Sequence, residues 1–233
     1  VSRESRLSRF SHLPVLEPKT GTLPAEQVEL WPRLFDVPED FVLYGGTGLA
    51  LRIGHRESVD FDFFSAEPFA PTDLLEKLAW LGRVTVNHAS ANNLVVTTPS
   101  AVNLSFRGDM GILCVAEPAI SDDNGVVVAS IFDLAGTKAK AILDRSEWRD
   151  YVDIATLLRN DLVLADIIGY ATTIFGPLFE FPAAIFLRSL VYFEEGTAPG
   201  IPDDMKRELE VAVAQASRGQ IPVVAAYASS IRP

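Results

Sequence analysis

Asp60 and Asp62 alternate with aromatic residues in the run Val59-Asp60-Phe61-Asp62-Phe63-Phe64. Taken as a strand, this run has a side-chain period of two, which puts both carboxylates on one face and Val59, Phe61 and Phe63 on the other. The Cα atoms of the two acids are then about 7 Å apart, a spacing from which both side chains lean onto one hard cation such as Mg2+. Unpaired, the two would repel. The competing reading leaves both carboxylates solvated on an outer sheet face. Upstream, Phe41-Val42-Leu43-Tyr44 runs into Gly45-Gly46-Thr47-Gly48. A strand ending on two glycines and a threonine at a helix N-terminus presents backbone N–H groups to an anion, for which a triphosphate is the natural candidate. Glycine suits the place because a side chain would hold the phosphate off the backbone and forbid left-handed torsions. Such a turn is equally a plain strand-to-helix connection; its combination with Asp60 and Asp62 gives it weight.

Two rival phosphate motifs fail on spacing. A P-loop needs a lysine directly after its last glycine, and none follows before Lys77. A dinucleotide fingerprint begun at Gly46-x-Gly48 wants Gly or Ala where Leu51 stands, and an acidic residue about 20 positions on.

The elements that position these residues follow from periodicity. Ser, Arg and Pro dominate up to Pro24, so residues 1–24 are expected to be a tail or strap, with order beginning near Ala25. A helix over 25–34, a strand over 41–44, a short helix over 49–53 closed by Gly54 and a strand over 59–64 are predicted next. A helix over 71–81 and strand pieces at 84–87, 94–98, 102–106 and 112–115 would complete one mostly antiparallel or mixed sheet. Beyond Ser130 the pattern turns helical, with helices predicted over 131–143, 149–158, 162–175, 183–193 and 203–216. The expectation is an α+β chain: an α/β core over 25–130 with a mixed sheet and flanking helices, then a helical subdomain over 131–233 that completes the cleft.

Composition narrows the partners. The 233 residues carry 48% apolar and 22% charged residues, as an ordinary globular chain does. A net charge of −11 disfavours indiscriminate binding to nucleic acid or anionic membrane, so an RNA partner would need a local docking surface. Cys114 is the only cysteine, which excludes an intramolecular disulfide, a Cys-rich zinc site and a paired-thiol redox motif. The first residues hold no apolar stretch fit for a signal peptide, and the most apolar run, Ile167 to Phe179, is broken by Gly169, Gly176 and Pro177. A cytoplasmic protein with no membrane partner is expected.

Gly45-Gly46-Thr47, followed by His55-Arg56-x-Ser58-x-Asp60-x-Asp62-Phe63-Phe64, resembles the signature of the AbiEii/AbiGii toxin nucleotidyltransferases of the DNA polymerase β-like superfamily. Asp133-Leu134-Ala135-x-x-Lys138-x-x-Ala141-Ile142, with Arg149-Asp150-Tyr151-x-Asp153, is similar to that family's second block. The resemblance spans roughly Phe41 to Leu158 and implies a nucleotidyltransferase-like sheet that binds an NTP with Mg2+ or Mn2+. It places Gly45, Gly46 and Thr47 at the phosphates and Arg56, Ser58, Lys138 and Asp153 on the nucleotide. Asp60 and Asp62 become the metal ligands and, with Lys138, the catalytic set; His55 also belongs to the phosphate pattern. The implied partners are an RNA (tRNA) or protein hydroxyl as acceptor and a cognate antitoxin. The implied chemistry is transfer of a nucleotidyl group, in which metals neutralise the charge of the leaving pyrophosphate while an acceptor hydroxyl attacks in line.

The residues qualify this in two places. Ile131, Ala135, Lys138 and Ile142 fall at i, i+4, i+7 and i+11 after a capping-box-like Ser130-x-x-Asp133, so Lys138 lies on the apolar stripe of its helix. It either snorkels to the domain edge or serves the nucleotide in a cleft beside Asp60, Asp62 and Thr47. Asp153 is either a site residue or the surface partner of Arg149 at i, i+4. The superfamily's third carboxylate is missing from Val102-Asn103-Leu104-Ser105-Phe106, where Ser105 stands at the expected position and cannot act as a carboxylate base. Asp109, Asp122 or Asp123 would have to substitute from a loop. Two alternatives follow: an NTP-binding protein without turnover that acts through a partner, and a structural module whose Asp pair is solvated surface. His12 and His88 have no partner at useful spacing.

Overall fold

The computed structural model describes residues 3–231. Val1, Ser2, Arg232 and Pro233, which fall in the expected ranges 1–24 and 131–233, lie outside the described residues. The chain opens with α1 (Arg3–Arg9), β1 (Val15–Leu16) and α2 (Ala25–Leu30), the last tightening into a 3₁₀ turn over Trp31–Asp36. Then come β2 (Val42–Tyr44), α3 (Gly45–Ile53), β3 (Asp60–Phe64), α4 (Pro71–Lys77), β4 (Thr85–Ser90), β5 (Asn93–Thr97) and β6 (Asn103–Arg107). After β7 (Ala119–Ser121) and β8 (Val127–Val128) the chain is helical: α5 (Ile131–Asp144), α6 (Trp148–Arg159), α7 (Leu164–Phe175), α8 (Ala183–Leu190) and α9 (Asp203–Ala216).

Among the described residues the eight strands form one sheet in the order β1-β7-β8-β2-β3-β6-β5-β4. β1 with β7, β2 with β8 and β3 with β6 are parallel, and the remaining neighbours antiparallel, so the α+β class with a mixed sheet is borne out. Contacts divide the chain into two compact units. The first holds the chain through Gly111, Glu117–Ile131 and the stretch from Ser230; the second holds Ile112–Ala116 and Phe132–Ser229.

In the first unit the alternation of β3 does what its sequence dictates. Phe61 and Phe63 are buried while Asp60, Asp62 and Phe64 are half-buried. Phe63 stacks on Phe106 of β6, Phe61 lies against Trp31, and Phe41 meets Phe106 edge-on. Each fully buried phenyl ring contributes roughly 1.5–3 kcal/mol, so this aromatic layer fixes which face of β3 turns outward. Val59, expected with the two phenylalanines on the core face, precedes the strand and is 46% exposed; pairing with β6 begins only at Asp60.

The expectation that order begins near Ala25 is corrected. Arg6 of α1 is buried, and its Nη1 donates to the carbonyls of Phe35 (2.6 Å) and Val37 (2.7 Å), while β1 adds a parallel edge to β7. Burial lowers the Arg6 pKa, against the pull of Glu39, Asp36 and Asp40. The predicted strand at 112–115 is also corrected: it forms only an isolated bridge, Cys114 to Ala228, and belongs to the second unit.

The second unit is built by α5 to α9. A Cβ on Gly136 would fall 2.5 Å from Ile174 Cδ1, so α5 and α7 approach more closely than a side chain there would permit. Asp133, in the first turn of α5, accepts the amides of Val115 (2.9 Å) and Ala116 (3.4 Å) and so holds the 112–116 segment.

Candidate active site

α3 begins on Gly45 itself, one turn earlier than periodicity predicts, so the glycine pair is the helix N-terminus rather than a loop before it. Gly45 has φ of +69°, a torsion that a β-carbon disfavours. β2 and β3 are antiparallel with Tyr44 opposite Asp62, and this register carries the Asp62 carboxylate over the start of the helix. A Cβ built on Gly45 would lie 2.1 Å from Asp62 Oδ2. Both reasons for glycine therefore coincide at one residue: the torsion and the carboxylate's approach.

The rest of the first motif converges on the same corner. A Cβ on Gly46 would lie 2.8 Å from Arg56 Nη2 and 3.0 Å from Ser58 Oγ. The Arg56 guanidinium thus adjoins the helix N-terminus and adds positive charge where the backbone N–H groups converge. Thr47 is fully buried and its hydroxyl donates to the backbone carbonyl of Asp60, tying α3 to β3. That hydroxyl is a strut, and what Thr47 offers an anion is its amide.

On the carboxylate side, β6 lies parallel to β3 with Asp60 opposite Asn103 and Asp62 opposite Ser105. Ser105 Oγ donates to Asp62 Oδ1 at 2.5 Å and Asn103 Nδ2 to Asp60 Oδ1 at 3.0 Å. Each carboxylate therefore has one oxygen fixed by a neutral donor from the next strand. Asn103 was not singled out by sequence reasoning, although the period of two that exposes Ser105 puts Asn103 on the same face. Asp109 accepts from Asn92 (3.4 Å) and Asp123 from Trp31 Nε1 (2.7 Å) and Ser121. Among the described residues there is no group of three or more His, Cys, Asp or Glu side chains that could hold a metal ion.

The second block forms its own ion set within the helical unit. Lys138 Nζ lies 2.8 Å from Asp150 Oδ1 and 2.6 Å from Asp153 Oδ2, and Arg145 Nε lies 2.8 Å from Asp150 Oδ2. Lys138, Asp150 and Asp153 are buried, Asp153 completely. A snorkelling Lys138 and a surface pair of Asp153 with Arg149 are therefore both replaced by a buried set of Lys138, Asp150 and Asp153, which the exposed Arg145 joins from the surface through Asp150. Burial pushes the Asp150 carboxyl up, but the Lys138 charge and the hydrogen bonds from Arg145 and Lys138 outweigh it and hold the group below its usual range. Asp150 and Arg145 were not assigned a role from spacing; the burial of Asp150 and its ion pair with Arg145 reveal them.

Similarity to known proteins extends over much of the chain. The chain is 31% identical over 158 residues to an uncharacterised protein of Aquifex aeolicus (strain VF5), covering 67% of this chain and 75% of that one. A solved structure entitled "putative nucleotidyltransferase from H. pylori" aligns with a TM-score of 0.49 and 16% identity over 82% of this chain and 92% of its own. The family model described as nucleotidyl transferase AbiEii toxin, type IV toxin–antitoxin system, matches residues 33–103 and 95–209, which take in both blocks. With the glycine turn, the carboxylate pair and the lysine block all inside those matches, the chain belongs to the AbiEii family of nucleotidyltransferase toxins.

Proposed function

We propose that the protein transfers a nucleotidyl group from an NTP to a hydroxyl of an RNA, such as tRNA, or of a protein, with Mg2+ or Mn2+, as the toxin of a toxin–antitoxin system. The observation that carries this reading is the placement of the Asp62 carboxylate against Gly45 at the N-terminus of α3, with Asp60 on the same sheet face. Phosphate cradle and carboxylate pair share one corner.

The donor set suits Mg2+. Two carboxylates of hard oxygen, each with one oxygen fixed from β6, match an ion held by one or two acids and completed by substrate phosphates and water. When bound, Mg2+ supplies charge neutralisation for the leaving pyrophosphate. The amides of Gly45, Gly46 and Thr47 would hold the phosphates, helped by the helix dipole and the Arg56 guanidinium. Asp60 and Asp62 would hold the ion. The acceptor hydroxyl oxygen forms the new bond to the α-phosphorus as the bond to pyrophosphate breaks, and the hydroxyl proton leaves to a carboxylate or to water. Lys138, whose ammonium is held by Asp150 and Asp153 within the helical unit, would complement phosphate charge as a point cation. Asp153 would then act on the nucleotide by aiming that ammonium.

A second reading, favoured by Ser105 in the place of an acid, is an NTP binder that does not turn over. Calorimetric titration of each NTP with Mg2+, followed by transfer of label from α-labelled NTP to total tRNA and cell protein, separates the two. Binding with incorporation is the expected result. Binding without incorporation into either pool selects the second reading, and no binding at millimolar NTP removes both.

A further inference from the structure

The half-buried face of the sheet that carries Asp60 continues outward as an unbroken line of polar side chains. Asn103 Nδ2 donates to Asp60 Oδ1 (3.0 Å), Thr97 Oγ1 donates to Asn103 Oδ1 (2.7 Å), and Asn87 Nδ2 donates to Thr97 Oγ1 (2.6 Å). These residues belong to four successive strands, β3, β6, β5 and β4. The direction of every bond is set by the last. A carboxylate only accepts, so Asn103 must turn its NH2 group to Asp60 and its carbonyl to Thr97. Thr97 must then donate its single hydroxyl proton to that carbonyl, and its lone pairs are left to accept from Asn87. Neither amide can flip without placing two donors or two acceptors face to face.

We infer that Asn103, Thr97 and Asn87 are a positioning relay for Asp60, fixing which carboxylate oxygen faces the cation. Donor-to-acceptor chains of one polarity reinforce one another where water is partly excluded. Thr97 and Asn103 are half-buried, whereas Asn87, at the outer end on the edge strand, is exposed. Among the described residues, the sheet gives Asp62 one supporting donor, Ser105. The two metal acids thus differ: Asp62 is braced by one hydroxyl and the glycine turn, Asp60 by a relay that reaches the sheet edge. Partners behind a metal ligand govern its orientation and cost roughly 10–100-fold in metal affinity when lost. The inference rests on the assignment of Asp60 as a metal ligand.

The test uses Mn2+ as probe, with the full chain, titrated by electron paramagnetic resonance with and without inorganic tripolyphosphate. Thr97→Val removes the hydroxyl at constant shape, and Thr97→Ser keeps it; Asn103→Leu removes the direct donor. Expected are a loss of Mn2+ affinity of about tenfold for Asn103→Leu, a smaller loss for Thr97→Val, and wild-type affinity for Thr97→Ser. Rescue by serine is what a merely structural threonine would not give, since serine lacks the γ-methyl that packs in a strand. Wild-type Mn2+ affinity in Thr97→Val, with affinity lost in Asp60→Asn, overturns the relay and leaves the metal assignment standing. Wild-type affinity in Asp60→Asn overturns the metal assignment and the relay with it. If Asn103→Leu does not fold, the two Thr97 variants decide alone.

Discussion

At the residue scale, the two sequence blocks treat charge in opposite ways. Asp60 and Asp62 are half-buried, each braced by a neutral donor from β6, with the Arg56 guanidinium at the neighbouring Gly46. Asp60→Asn or Asp62→Asn should abolish Mg2+-dependent NTP binding while stability stays within about 1 kcal/mol, as calorimetry and chemical denaturation would show. Lys138 is different because removing it strands Asp150 and Asp153 in the interior. Lys138→Met should cost about 3–5 kcal/mol in denaturant titration, so lost activity in that variant must be judged against its folded fraction. Asp150 gives the pH dependence. Its carboxyl is held below the unfolded value, so its stabilisation is complete above about pH 4 and is lost as pH falls toward the lower folded value. The stability gap between wild type and Asp150→Asn should therefore shrink in thermal melts below about pH 4 and stay constant above about pH 5. A gap that grows in acid would contradict the Lys138 and Arg145 attribution.

At the element scale, the α3–β3 corner depends on one backbone torsion. Gly45→Ala must accept φ near +69° and a methyl where Asp62 Oδ2 lies. A stability loss of about 1–3 kcal/mol and loss of NTP binding are expected together, with the Asp62 side chain displaced in a structure of the variant. Much of this corner was legible in the sequence. Alternation placed Asp60 and Asp62 on one face, and Gly45-Gly46 marked the approach of another group. The approaching group was missed: spacing suggested phosphate alone, whereas the antiparallel register also brings Asp62 there. β7 and β8 were missed because three and two residues carry no readable period. The apolar run at 112–115 read as a strand because its burial is real, but its hydrogen bonds go to the helical unit, including Leu113 to Ile174 (3.0 Å). Lys138 was correctly set on an apolar stripe, yet periodicity has no means of revealing that two acids a turn apart on the next helix would neutralise it.

At the scale of the whole molecule, the least legible part was the N-terminal segment. A Ser- and Arg-rich stretch has the composition of a tail, and what anchors it includes one guanidinium on two carbonyls, two strand residues, the Arg9–Glu39 pair and the buried Phe10 and Leu13. Arg6→Ala should leave the carbonyls of Phe35 and Val37 without that donor and lower stability by about 1–3 kcal/mol, with NTP binding retained by the variant that remains folded. A melt unchanged from wild type would return this segment to the status of a loose tail.

The strand order also sets a timetable. Val15 pairs with Ile120, and Leu43 with Val128, whereas Asp60 and Asp62 find Asn103 and Ser105 within a shorter loop. On a chain made from its N-terminus, the carboxylate face and its braces can emerge and pair before the residues that accept β1 exist. Contacts between distant residues carry the larger closure entropy and form slowly. The Asp60–Asp62 corner would thus be the early-assembled part of the sheet, and the β1 segment, which leaves the ribosome well before its partner strand, among the last to dock. Until Ile120 has been synthesised, the edge that β1 will occupy is unfinished, and in this interval a chaperone or protease would meet a chain whose carboxylate pair is already braced but whose sheet is not yet closed.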